Sequence, residues 1–145
     1  MTYIFHAVRL LLGLGWLLSG LMHFLAPSLQ PMGHTAAAHD FTVALMQSGL
    51  FDWIKAIEIG LGLALIANRA MPLAIVALIP INLVIAYWNL VLEGGVIGWI
   101  GGALTILPTA VVVWPWRRYF WPLFILKGEA DYSLAPFPRA SGLPR

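Results

Sequence analysis

The sequence predicts an all-α integral membrane protein: a four-helix bundle with both termini cytoplasmic and a short interfacial helix between the first two spans. Three observations carry this. Hydrophobic residues make up 61% of the 145-residue chain and charged residues only 10%, against about 25% charged in ordinary soluble domains; mean hydropathy is +0.87. A soluble globule of this size buries too small a share of its surface to hide so much apolar chain. The apolar residues fall into four runs, each near the roughly 20 residues that cross a bilayer. The basic residues then collect on one side of the resulting topology.

The same composition excludes several classes of function. Four spans with their loops leave no room for a separate catalytic domain. The absence of cysteine excludes disulfides, thiolate metal sites and iron–sulfur clusters on this chain. A net charge of +2, spread over eight basic residues, is no nucleic-acid footprint.

Residues 1–126 form the predicted bundle, and 127–145, with Pro136, Pro138 and Pro144, an irregular cytoplasmic tail. The first span runs from about Tyr3 to Ala26. It is too long for the apolar core of a signal peptide, it contains Arg9 and His23, and no small-residue cleavage pattern follows it. Between about Ala36 and Ser48, polar His39, Asp40 and Gln47 mix with Phe41, Val43, Leu45 and Met46, which reads as a short helix at the outer surface. The second span covers about Phe51 to Asn68 and the third about Met71 to Leu92. The fourth covers about Val96 to Trp114, fraying toward Leu126. The runs are continuous rather than alternating, so helices are favoured over a barrel. Arg69, Arg117, Arg118, Lys127, Arg139 and Arg145 fall on one side, which the positive-inside rule makes cytoplasmic. Trp53, Tyr87, Trp88 and Trp99 are expected at the outer interface, and Trp114, Trp116, Tyr119 and Trp121 at the inner one.

Polar residues within the spans carry the functional signal, because a charge at mid-bilayer costs roughly 2.5–3.5 kcal/mol on insertion scales. His6, Arg9, Gly13, Trp16, Gly20 and His23 recur at intervals of three and four and share one helix face. Lys55, Glu58, Gly62 and Arg69 share another, with Lys55 and Glu58 placed to pair. Asn82, Ala86, Asn89 and Glu93 line a third. Gly94, Gly98 and Gly102 lie at intervals of four and are expected to permit close helix packing, followed by Thr105 and Thr109. Four inward seams make a bundle. At 1.5 Å of rise per residue, His23, Lys55, Glu58 and Asn89 reach similar depths in its outer half and form the candidate polar cluster. Arg9 is expected to extend to the cytoplasmic headgroups. No metal site is assigned: His34 and His39 lie in a polar loop with only Asp40 nearby.

Arg9-Leu10-Leu11-Leu12-Gly13, Ser19-Gly20-Leu21-Met22-His23-Phe24, Gly49-Leu50-Phe51, Ile57-Glu58-Ile59-Gly60-Leu61-Gly62-Leu63, Met71-Pro72-Leu73-Ala74 and Ile79-Pro80-Ile81-Asn82 occur in this order. In this ordered set the chain resembles the DoxX-like family of small membrane proteins, over roughly residues 5 to 125. The resemblance implies a four-helix bundle with both termini inside, in a bacterial inner membrane. It also implies association with redox systems, including quinone-linked ones, and singles out His23 and Glu58. Where related chains often carry a Phe-His pair late in the third helix, Tyr87-Trp88-Asn89 stands here.

Three functions are therefore weighed. The first is an accessory subunit of a larger membrane complex handling electrons, with a homo-oligomer as the other form of assembly. The second is a quinone-linked oxidoreductase component using the His23/Glu58 site, since a carboxylate in apolar surroundings can exchange protons near neutral pH. The third is a small proton-coupled transporter. No cofactor is expected on this chain alone; a quinone, or a haem or pigment shared with a partner, is the expected association. His6 and His23 lie about 25 Å apart along one helix, too far to hold one haem between them.

Overall fold

The computed structural model describes residues 2–124 and 126, and these form helices and short connections. Helix α1 spans Thr2–Leu25, α2 Ala36–Gln47, α3 Leu50–Ala67, α4 Met71–Tyr87 and α5 Gly95–Phe120. A π-helical segment, Trp88–Glu93, continues α4, and a 3-10 turn, Trp121–Phe124, continues α5. The predicted tail at 127–145 lies outside the described residues.

Three helical segments are long and apolar enough to cross a membrane: Thr2–Leu25, Met71–Glu93 and Gly95–Phe124. Helix α3 is shorter, at 18 residues, and carries Asp52, Lys55 and Glu58. These three charges, rather than a lower hydrophobicity, set it apart from the other three segments. Leu11, Leu63, Leu83 and Leu104 stand half or more exposed on the outer faces of four different helices. In water such a surface would aggregate; against lipid it costs nothing.

The buried positions trace the inward seams. On α1 they are Gly13, Trp16, Gly20 and His23, and on α3 Lys55, Glu58, Gly62 and Leu65. Asn82 and Ala86 continue the pattern on α4, and Gly98, Gly102 and Thr109 on α5. Helices α1 and α3 share the most extensive contact. A Cβ on Gly20 would lie 2.6 Å from the Lys55 carbonyl oxygen, and one on Gly62 would lie 2.6 Å from the Leu17 nitrogen. Only hydrogen at these two positions lets the backbones touch.

An apolar layer of Trp16, Leu65, Met71, Ile75, Leu78 and Val112 crosses the bundle. Below it, α3 ends in a left-handed Asn68 (φ 53°), and Arg9 reaches across to donate to the carbonyls of Leu65 and Ile66. Arg9 does not extend freely toward the headgroups as expected: its guanidinium is tied to two carbonyls of the last turn of α3, of which the Leu65 oxygen also accepts from the Asn68 N–H at 3.2 Å.

Gly94 also departs from expectation. It has φ 63° and ψ −167°, and a Cβ there would meet nothing within 4 Å. Gly94 is a turn residue closing the π-helical segment, through its N–H to the Asn89 carbonyl at 3.0 Å, rather than a packing contact. Gly98 and Gly102 do pack, against the Asn89 carbonyl and the Leu90 side chain, and Gly101 lies against the Asn89 amide.

Candidate functional site

The tight α1–α3 crossing places Ser19 of α1 directly over one face of α3. On that face Lys55 and Glu58 stand one turn apart, as their spacing requires. The Lys55 Nζ donates to Glu58 Oε1 at 3.0 Å, to Glu58 Oε2 at 2.9 Å and to Ser19 Oγ at 2.9 Å. The Ser19 hydroxyl donates in turn to Glu58 Oε2 at 2.8 Å. All three ammonium protons are therefore satisfied. Glu58 is fully buried and Lys55 is 5% exposed. The triad is electrically neutral as a unit, the condition under which burial of two charges is tolerated.

His23, one turn beyond Ser19 on α1, takes a different partner. Its Nε2 lies 2.7 Å from Asp52 Oδ1, in the first turn of α3. The imidazole is buried while the Asp52 carboxylate is largely exposed, so this pair runs from the protein interior to its surface. The His23 Nδ1 is buried without a hydrogen-bond partner. Phe51 joins the two polar groups: its ring stands edge-on to the His23 ring at 5.0 Å, and the Lys55 ammonium lies 5.0 Å from its centroid.

The predicted cluster of His23, Lys55, Glu58 and Asn89 is thus brought together in part. Lys55 and Glu58 bond directly, and His23 joins them through Phe51. Asn89 lines the same cavity, but its Nδ2 donates back to the Ile85 carbonyl at 2.9 Å. Ser19 and Asp52 complete the site and were not singled out from sequence. Ser19 lies four residues before His23, and Asp52 three before Lys55, each one turn away on the same face.

Ser19, Phe51, Lys55, Glu58 and Asn89 border a half-open cavity of about 1170 Å³ between α1, α3, α4 and α5 beneath α2, while His23 and Asp52 lie outside its lining. Its walls are largely apolar, with Met22, Phe41, Leu45, Ile54, Ile81 and Val84 among them, and the triad supplies polar groups to one wall. The roof is fastened to the end of α4. The His34 backbone N–H donates to Glu93 Oε2 at 2.8 Å and its Nδ1 lies 2.5 Å from Oε1. Thr35, the N-cap of α2, donates to the Leu92 carbonyl at 2.6 Å. Trp88 was expected at the lipid interface but turns inward, donating to the Ala38 carbonyl and to Thr42 Oγ1 at 3.0 Å. The π-helical turn re-aims these groups, a common use of such irregularity.

No protein-family model, curated protein or solved structure matches the chain.

Proposed function

We propose that the chain is a four-helix integral membrane protein, with α1, α3, α4 and α5 spanning the bilayer. In this reading it serves a membrane redox system by holding a quinone-class amphiphile in the cavity beneath α2. The observation that carries it is the neutral Ser19–Lys55–Glu58 triad set into the wall of a large apolar cavity. Sites of this composition take ligands with a broad apolar body and a few polar atoms. A self-neutralised triad suits an uncharged headgroup, because an ionic ligand would leave one charge unbalanced. A ligand carbonyl oxygen would accept from the Lys55 ammonium or the Ser19 hydroxyl in exchange for one of their present bonds within the triad. When bound, a quinone would supply the two-electron chemistry, while these side chains bind and orient it.

The accessory-subunit reading sets the context: the chain contributes the ligand site and a partner contributes the electrons. The resemblance to DoxX-like proteins favours that setting and a bacterial inner membrane. Arg69, Arg117 and Arg118 lie at the end of the bundle opposite α2, which favours cytoplasmic termini by the positive-inside rule. The transporter reading has less support, because the apolar layer around Trp16, Leu65 and Leu78 stands between the two ends of the bundle.

The test is to purify the protein from its own membrane in mild detergent and identify co-extracted lipid-soluble molecules by mass spectrometry, beside a Leu45→Trp variant that fills the cavity. A quinone-class molecule near one per chain, depleted in the variant while helicity is retained, is expected. Equal amounts in both, or bulk lipid alone, would overturn the proposal.

A further inference from the structure

A second cavity, of about 520 Å³, opens at the opposite end of the bundle, among the start of α1, the end of α3 and the last turns of α5. Three guanidinium groups border it, those of Arg9, Arg117 and Arg118. None has a carboxylate partner among the described residues. The four described acids face elsewhere: Asp52 toward His23, Glu58 toward Lys55, Glu93 toward His34 and Asp40 toward His39.

Each arginine is also held in place. Arg9 gives its NH1 to the Leu65 and Ile66 carbonyls, while its Nε is buried with no partner. Arg117 lies 4.9 Å from the Trp114 ring centroid and donates to the Trp114 carbonyl at 2.8 Å. Arg118 lies 4.8 Å from the Tyr119 ring centroid and donates to its hydroxyl at 2.9 Å. Stacked guanidiniums are pre-organised, so little rotamer freedom is lost when their remaining N–H groups bind an oxyanion. The negative ends of the α3 and α5 dipoles together offset at most about one of these charges. Among the described residues the cavity lining is therefore cationic.

An anion with several oxygens is what such a site accepts, and phosphate matches the guanidinium fork. Its surroundings select the source. Phe5, Val112, Trp114 and Trp116 also line the cavity, and Trp114 is 61% exposed, leaving an apolar flank for acyl chains. We propose that this cavity binds the phosphate group of an anionic phospholipid. The proposal rests on the membrane-spanning reading and is independent of the quinone-class ligand.

The experiment is native mass spectrometry of the full chain in mild detergent, titrated with phosphatidylglycerol or phosphatidylcholine, for wild type and an Arg117→Gln/Arg118→Gln double variant. Both arginines are exposed and hold no core contact, so the variant should fold. Phosphatidylglycerol is expected to bind at least about tenfold tighter than phosphatidylcholine, and the double variant should weaken it by about thirtyfold. Equal binding of the two lipids, or unchanged binding by the variant, would overturn the proposal. Displacement of phosphatidylglycerol by millimolar inorganic phosphate would overturn the lipid assignment in favour of a free-anion site.

Discussion

Glu58→Leu, made with Lys55 left in place, should be among the most damaging single substitutions in the protein. Lys55 Nζ donates to three acceptors, and two of them belong to Glu58. The substitution leaves an ammonium group, 5% exposed, with one hydroxyl for company. Removing one partner of a buried pair costs about 3–5 kcal/mol. Lys55→Met/Glu58→Leu removes the orphaned charge along with its partner, and should cost less than about 1.5 kcal/mol. The double variant is therefore expected to be more stable than the Glu58→Leu single variant by about 1.5 kcal/mol or more. Reversible unfolding in mixed detergent micelles, followed by far-ultraviolet circular dichroism, would measure wild type, the double variant and both single variants, Glu58→Leu and Lys55→Met. If the two single costs simply add in the double variant, Lys55 is already solvated through the cavity, and the argument from a dry neutral triad fails.

Three further outcomes follow from the packing. Gly62→Ala puts a methyl group 2.6 Å from the Leu17 nitrogen and should destabilise by about 1–3 kcal/mol, whereas Gly60→Ala, where a Cβ meets nothing, should be neutral or stabilising by up to about 1 kcal/mol; thermal unfolding in detergent compares them. Asn82→Leu removes a 2.9 Å bond to Thr109 Oγ1 but also an amide oxygen that lacks a partner, so it should cost no more than about 1.7 kcal/mol in the same assay. Glu93→Gln weakens the fastening of His34, and amide hydrogen exchange across 34–42 should quicken while α3 stays protected.

Hydropathy made the helices legible almost to their ends. The run read as Tyr3 to Ala26 is Thr2–Leu25, and the short helix read at Ala36 to Ser48 is Ala36–Gln47. The Lys55–Glu58 pair was legible too, because contacts between neighbouring turns are fixed by helical geometry alone. What escaped depends on how separate helices dock. Ser19 is a small polar residue among many, and only its position beside Gly20, at the α1–α3 contact, gives it a role. The His34–Glu93 bond joins residues 59 apart and has no local signature. Asn89 and Gly94 diverged from expectation for one shared reason. The turn from Trp88 to Glu93 is wound as a π-helix, which shifts the faces that a regular 3.6-residue period would assign.

The apolar layer of Trp16, Leu65, Met71, Ile75, Leu78 and Val112 is also an electrical insulator. Carrying one charge across a whole bilayer against 100 mV takes about 2.3 kcal/mol. With the bundle in place across a membrane, an ion passing from one cavity to the other would have to cross this layer, whose side chains offer no charged group to replace its water.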